Sequence, residues 1–596
     1  MATQLAMVLL LYAVSFLLFK PYRSIVRQTG MAELHCIGNS VALALIVSLS
    51  MTLVFEIVVY GNELSAQQVV LPIAQLFVHA MMVGVGLTSA RLVYKNVYRF
   101  FFWHKKSTAI PVILFGAGDM GHNTFQLLQF GSRNKFKIVG VVDDNPSRIG
   151  KAMHGFRINS LSDLDAVFLE RIGGAQQLVI AIDDHQPARL QRVAAQAENL
   201  SIKMKIIPKS AKLMEDIVAT KQIRTLKIDD LLGRKSIEIN NPAILAEMTD
   251  KVVLVTGGAG SIGSELVRQI SRTDCSKLIV LDQAESALYE IQQELKAKID
   301  LSKAYFIVGN VRDYAFMDAV FSEHRPHIVF HAAAYKHVPL MEDNPYEAVL
   351  TNVCGSSYVA KLSDKYQVQK FVMVSTDKAV NPTNVMGATK RAAEIFVASL
   401  NQLSNTAYIV TRFGNVLGSN GSVIPLFEKQ IKLGGPITIT HPDITRYFMT
   451  IPEACKLVQE AGIMGSGGEV FVFDMGSPVR ILDLAIKMIK LKGLRYPDDI
   501  DIKYIGLRPG EKKYEELLAT DENTIKTYHE KILIAKVSNG TPKDMIERIE
   551  SLCAVAQQAN AVQEKMNIVA ILKSIVPEYI SNNSLFTELD NINVAG

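Results

Sequence analysis

The sequence predicts an α/β fold, in which two doubly wound domains follow a set of apolar N-terminal helices. Three observations predict it. Three apolar runs fall within the first ninety residues, two glycine turns of GxGxxG type each stand between a strand pattern and a helix pattern, and five strand–helix repeats run from 251 to 376. At 596 residues the chain is too long for one core. Its 63 basic and 58 acidic side chains are spread along it, for a net charge of +5, with no basic stripe of the kind that binds nucleic acid. The five cysteines, at 36, 275, 354, 455 and 553, form no CxxC pair, so neither a disulfide framework nor a metal site is expected, and a reducing compartment is.

The runs at 5–19, 37–60 and 69–90 are read as membrane spans, the first of them marginal in length. Lys20, Arg23 and Arg27 follow the first run, Glu56 and Glu63 mark the connection after the second, and Arg91, Lys95, Arg99, Lys105 and Lys106 follow the third. Basic residues stay on the cytoplasmic side, so everything after residue 91 is expected in the cytoplasm. The expected organisation is an anchor over 1–106, a Rossmann-like domain over 107–225, a linker over 226–250, a dinucleotide-binding domain over 251–540 with a smaller substrate part, and terminal helices over 541–596.

In the first domain an apolar strand leads into Gly116, Gly118 and Gly121, and a second strand ends in Asp143 and Asp144. This is the spacing of a dinucleotide-binding βαβ unit, yet the turn serves packing as readily as it serves a ligand. In the second domain "VTGGAGSIGSE" places Gly257, Gly260, Ser261, Ile262 and Gly263 at a strand-to-helix turn. Asp282 ends the next strand, nineteen residues past Gly263, where its carboxylate would accept the adenosine ribose hydroxyls and repel a 2′-phosphate, favouring NAD over NADP. Asn310 and Val311 end the third strand, within reach of an adenine. Ala332 and Ala333 end the fourth and are small enough for close backbone approach.

"HAAAYKHVPLMEDNP", "STDKAVNPTNVMGATK", "RFGNVLGS", "ITRYFMTIPEA" and "GLRPGEKKYEELL" resemble the nucleotide-sugar 4,6-dehydratases of the extended short-chain dehydrogenase/reductase family. Within it they are similar to the membrane-anchored branch of bacterial capsule, O-antigen and glycan biosynthesis. The resemblance implies NAD, a UDP-N-acetylglucosamine substrate, a 4-keto-6-deoxy product with C5 configuration retained, an inner-membrane location and a homo-oligomer. It makes Asp377 the acid at the C6 hydroxyl and Lys378 the base at C5, the latter with a pKa lowered by burial or by a neighbouring cation such as Lys390. Lys390 would also hold the nicotinamide ribose. Met386 stands where short-chain enzymes usually carry a tyrosine four residues before the lysine; a thioether takes no proton, so the C4 proton must go to Asp377, or to Thr376 through a water. Asn415 and Arg508 match positions that contact the nucleotide diphosphate, with Arg446 and Glu511 as further candidates and Lys336 within reach of the sugar. Lys513 departs from the apolar residue usual there.

Two other readings stay open: a nucleotide-sugar C4 epimerase, and a membrane-tethered sensor without catalysis. The resembling proteins commonly have four spans, and the segment after the first run here looks like their connection after a second span. A first span of the relatives is therefore expected to be missing.

Overall fold

The computed structural model describes residues 2–23, 31–59, 73–103, 109–130, 136–198, 200, 202–207, 224–226, 242–296, 301–516, 524–535, 541–558 and 563–590. Arg27, Glu63, Lys105, Lys106 and the linker from 227 to 241 lie outside the described residues. The chain forms two compact units, Met1–Ala109 and Ile110–Gly596.

The first unit is three helices, Ala2–Phe19, Met31–Val59 and Ile73–Trp103. Val8, Tyr12, Ala44 and Leu76 form a small shared core, while Leu10, Leu17, Leu53, Met81 and Met82 point outward. Helices apolar on every side suit apolar surroundings. The segments Glu33–Val54 and Ile73–Lys95 are long and apolar enough to cross a membrane, and Met7–Phe19 is shorter. Ser40 Oγ donates to the Cys36 carbonyl at 2.7 Å, and Ser15 Oγ donates to the Ser40 carbonyl, so these buried hydroxyls are satisfied within the bundle.

The second unit contains two large sheets. In the first the strands run in the order Ala152–Met153, Phe156–Ser160, Phe136–Asp143, Ile110–Phe115, Gln177–Ile180, Lys203–Ile206 and Arg224–Thr225. The second has nine strands, ordered Ala304–Val308, Lys277–Asp282, Val252–Thr256, Ile328–His331, Lys370–Val374, Ala407–Arg412, Val470–Phe473, Ile532–Ala535 and Thr524–Lys526. Its first six strands are parallel in the order 3-2-1-4-5-6 of a dinucleotide-binding fold, which opens a crevice at the carboxyl ends where the order reverses. Ile328–His331 is buried at every position, which is why it reads as a continuous apolar run without alternation. The last two strands pair antiparallel and extend the sheet beyond the five repeats legible in the sequence.

The substrate part is built from three two-stranded sheets and the helices Val423–Lys432 and Ile481–Leu491. Phe427, Leu484 and Met488 share a core with Leu190 and Val193 of the first sheet's layer. The helices Pro542–Ala556 and Lys565–Ile575 pack on Val385–Asn401, the helix that carries Lys390. This packing corrects the cysteine reading: Cys354, in the π-helical turn Val349–Gly355, is disulfide-bonded to Cys553, with Cα atoms 5.6 Å apart. The spacing concealed the pair because 199 residues separate the partners.

Candidate active site

The cofactor cradle is assembled at the switch point. Gly263 is required by close approach, since a Cβ there would lie 2.0 Å from the Gly257 carbonyl oxygen. Helix Ser261–Ile270 can therefore start directly above the turn, with its N-terminus facing the crevice. Asp282 accepts the Ala259 N–H on Oδ2 and the Ala284 N–H on Oδ1, both at 2.9 Å, which fixes its carboxylate at the crevice rim. A cavity of about 300 Å³ lies between them, and Gly257, Gly260, Asp282, Asn310, Val311, Ala332 and Ala333 all line it. Ser261 and Ile262 open the helix beside it, Ser261 Oγ accepting the Asn420 N–H at 3.2 Å. Gln283, Tyr335 and Asn420 complete the wall and were not singled out from the sequence.

The strand Lys370–Val374 delivers the stretch from Ser375 to Lys378 to the same edge of the sheet. Asp377 is 1% exposed, and its Oδ1 accepts from Thr376 Oγ1 at 2.9 Å and from Lys378 Nζ at 3.0 Å. Its Oδ2 is buried without a partner among the described residues. Burial first, then Glu515, push the Asp377 carboxyl above the usual aspartate range against the pull of Lys378. Lys378 Nζ also donates to Asn415 Oδ1 at 3.3 Å and lies 3.4 Å from Glu515 Oε1. Burial alone would lower Lys378, but Asp377 and Glu515 outweigh it and hold the ammonium above the ordinary lysine value. Lys378 was expected to be lowered by burial or by a neighbouring cation such as Lys390; burial does pull that way and Arg446 and Lys336 add to it, but the two carboxylates outweigh them.

Lys390 sits behind the strand. Its Nζ donates to the Val374 carbonyl at 2.8 Å, and burial lowers its pKa to about 8 against the opposing charge of Glu394. Glu394 is held below its usual range, burial notwithstanding, by Arg412 and Arg391, and it accepts from Ser375 Oγ at 2.6 Å. Breaking such a buried pair typically costs about 3–5 kcal/mol, so this network anchors helix to strand beneath the loop of Asp377 and Lys378. His331, between the Thr256 and Ser356 hydroxyls at 2.8 Å each, is pushed by burial to about 3 and stays neutral. Met386 is 3% exposed and belongs to the hydrophobic core; it lines neither cavity.

A second cavity, of about 230 Å³, opens in front of Lys378. Lys336, Asn415, Arg446, Arg508 and Glu511 line it, and so do Glu515, Lys512 and Asn384. Arg446 donates to the Lys512 carbonyl at 2.8 Å and pairs with Glu511 at 3.3 Å and Glu515 at 3.4 Å, so its charge is largely committed to the loop. Arg508 is exposed at the cavity mouth. Lys336 Nζ reaches Ser419 Oγ at 3.4 Å. The Lys513 departure is a surface matter: its Nζ pairs with Asp443 at 3.3 Å.

The polysaccharide biosynthesis protein family matches residues 253–537. Capsular polysaccharide biosynthesis protein CapD of Staphylococcus aureus is 40% identical over 472 residues, 78% of this chain and 78% of its own. The probable polysaccharide biosynthesis protein EpsC of Bacillus subtilis is 37% identical over 537 residues, 89% of this chain and 87% of its own. The chain belongs to the polysaccharide biosynthesis protein family. A UDP-glucose 4-epimerase of Rickettsia canadensis is 37% identical over 281 residues, 46% of this chain and 79% of its own.

In this polysaccharide biosynthesis protein the glycine turn of the first sheet repeats the cradle in miniature. Asp143 accepts the Ala117 N–H at 2.6 Å and the Asn145 N–H at 2.7 Å, as Asp282 does in the second sheet. The space over its second glycine is filled, however, because the Arg148 guanidinium lies 3.0 Å from where a Cβ on Gly118 would be. Asp144 is tied to Arg189 by an ion pair.

The C-terminal segment, which showed no chemistry in the sequence, braces the substrate loop. The Asn582 carbonyl accepts the Gly510 N–H at 2.7 Å, the Asn582 N–H reaches the Thr383 carbonyl at 3.1 Å, and the Asn582 and Asn583 amides donate to the carbonyls of Glu511 and Leu507. Ser584 Oγ donates to Glu342, whose other oxygen accepts the Val385 N–H at 2.7 Å at the start of the Lys390 helix.

Proposed function

We propose that this chain is an NAD-dependent UDP-N-acetylglucosamine 4,6-dehydratase, held at the bacterial inner membrane by its apolar helices with the catalytic unit in the cytoplasm. It would supply a UDP-4-keto-6-deoxy-N-acetylhexosamine for surface polysaccharide. The observation that carries the reading is the buried Asp377–Lys378 contact at 3.0 Å, whose Lys378 lines a cavity together with Asn415, Arg446 and Arg508.

NAD fits the cradle. Gly257, Gly260 and the start of the helix at Ser261 would hold the pyrophosphate, Asp282 the adenosine ribose, and Asn310 and Val311 would flank the adenine. When bound, NAD would take a hydride from sugar C4 and restore it at C6. Lys390, a buried amine of depressed pKa behind the catalytic strand, is the group to hold the nicotinamide ribose.

The remaining proton steps fall to Asp377 and Lys378. Thr376 Oγ1 is spent as a donor to Asp377 Oδ1, which leaves the unpartnered Asp377 Oδ2 as the acceptor for the C4 hydroxyl proton. The same proton then goes to the departing C6 hydroxyl, which leaves as water. Lys378 in its amine form, a minor fraction near neutral pH because Asp377 and Glu515 favour the ammonium, takes the C5 proton and gives it back after reduction at C6, so neither side chain is changed over a turnover. One lysine acting twice from one face retains the configuration at C5. Asn415 and Arg508 would hold the nucleotide diphosphate, and Lys336 the sugar.

Incubating the purified chain with UDP-N-acetylglucosamine and following products by NMR tests the proposal. A UDP-4-keto-6-deoxy sugar of D-xylo configuration is expected. The L-arabino epimer from the earliest times would refute the single-face role of Lys378. A UDP-hexosamine epimerised at C4 would establish instead the reading that the epimerase relative favours, and binding without product would establish the sensor.

A further inference from the structure

The substrate loop brings a carboxylate to Lys378 that no sequence motif assigned. Glu515 is 8% exposed, its Oε1 lies 3.4 Å from both Lys378 Nζ and Arg446 Nε, and its Oε2 is buried without a hydrogen-bond partner among the described residues. It reaches the site from the loop after Arg508, whereas Asp377 meets the same ammonium from its neighbouring position in the turn Asp377–Ala379. Lys378 is thus gripped from two separate elements, with Asn415 Oδ1 as a third, uncharged contact.

We propose that Glu515 is a positioning residue that acts through Lys378, aiming its nitrogen into the substrate cavity and stabilising the ammonium formed when Lys378 takes the C5 proton. This rests on the dehydratase reading and deepens it. The ammonium must persist until its proton returns to C5, and a fixed anion beside it strengthens the base and keeps that proton from being lost. Glu515 is suited to remain charged. Burial opposes its ionisation, but Lys378, Arg446 and Lys512 outweigh burial and hold its carboxyl below the ordinary glutamate value. The other charged groups that face Lys378 are Asp377 on its own loop, Arg446 on the short strand Thr445–Arg446, and Lys336, which repels it. Arg446 anchors Glu515 from the far side, so the negative charge is fixed in place and is not free to follow solvent.

Two readouts on the full-length chain in detergent test the proposal. The first needs no turnover: Lys378 is labelled with acetic anhydride at a series of pH values and quantified by mass spectrometry. Glu515→Gln removes one anion while keeping shape, so the pH of half-labelling should fall by at least one unit. Glu515→Asp should restore part of the shift, and Glu516→Gln, a change on the exposed neighbour that pairs with Lys512, should leave it unmoved. The second readout is the pH profile of 4-keto sugar formation: in Glu515→Gln the rising limb should move to lower pH by the same amount and the plateau above it should drop at least tenfold. An unchanged labelling pH in a Glu515→Gln chain that still binds NAD overturns the inference, and so does a lowered plateau with an unmoved limb, the mark of a merely structural role. Absence of a 4-keto product from the wild-type chain refutes the dehydratase reading instead, and leaves the labelling result to decide the hold of Glu515 on Lys378.

Discussion

Lys390 Nζ donates to the main-chain carbonyl of Val374 at 2.8 Å, which ties the helix bearing Lys390 to the strand that leads into Asp377 and Lys378. Gly387, in the first turn of the same helix, makes the junction tight: a Cβ there would stand 2.1 Å from the Lys378 carbonyl oxygen. The loop of Asp377 and Lys378 is therefore pressed onto the helix at the one position without a side chain.

Lys390 gives a pH dependence with a definite sign. In the fold burial lowers its pKa from 10.5 to about 8, so between these values the unfolded chain binds a proton that the folded chain does not. Stability of the cofactor-free protein should rise with pH through this window and carry the full penalty below about pH 8, on the order of 3 kcal/mol. Denaturation midpoints measured from pH 7 to 10 should climb in the wild type and flatten in Lys390→Met; a wild-type curve that falls would refute the assignment.

Met386→Tyr should not restore a tyrosine-type enzyme. Met386 lies in the core at 3% exposure, so the larger phenol would overpack its surroundings at a typical cost of about 1–3 kcal/mol. Thermal melting should show the loss, with turnover no higher than wild type. A large gain in turnover would mean that the phenol reaches the substrate and that the native site is merely a crippled tyrosine site.

Lys378→Ala should abolish 4-keto sugar formation while NAD remains bound, because Lys378 lines the substrate cavity and is absent from the wall of the cofactor cavity. General-base catalysis typically contributes about 10² to 10⁴ in rate. A variant that keeps more than about a tenth of wild-type turnover would remove Lys378 from that role.

Charge around the apolar helices predicts sidedness. A cysteine introduced between 61 and 68 should react with an impermeant probe on intact cells, and one at Arg23 should be protected. The reverse pattern would place the catalytic unit outside the cytoplasm.

What the sequence disclosed and what it concealed divide along contact distance in the chain. Gly257, Gly263 and Asp282 were legible because one βαβ unit contains them and strand pattern, turn and acid must keep a fixed spacing to work. Asp377 and Lys378 were legible as neighbours, but the charge state of Lys378 was not, since besides Asp377 it depends on Glu515, brought in by a loop more than a hundred residues downstream. Glu515 itself stood in a motif that matched as a whole, and nothing local separated it from Glu511 or Glu516. The Cys354–Cys553 bond and the Asn582 contacts were invisible for the same reason: each joins elements whose meeting is decided by how the terminal helices pack.

The brace at 580–584 bears on the order in which the protein is made. Translation lays down the apolar helices first and the cofactor cradle next, yet the Gly510 N–H and the Thr383 carbonyl meet Asn582 only when that residue emerges. A nascent chain stalled before that point would already have Thr383 and Asn384 donating to the Gly510 carbonyl and Arg446 to the Lys512 carbonyl, but would lack the contacts that Asn582 and Asn583 add to the loop of Arg508. The brace on the loop of Arg508 is thus completed only after residues 580–584 have been made, about seventy residues later than the loop itself.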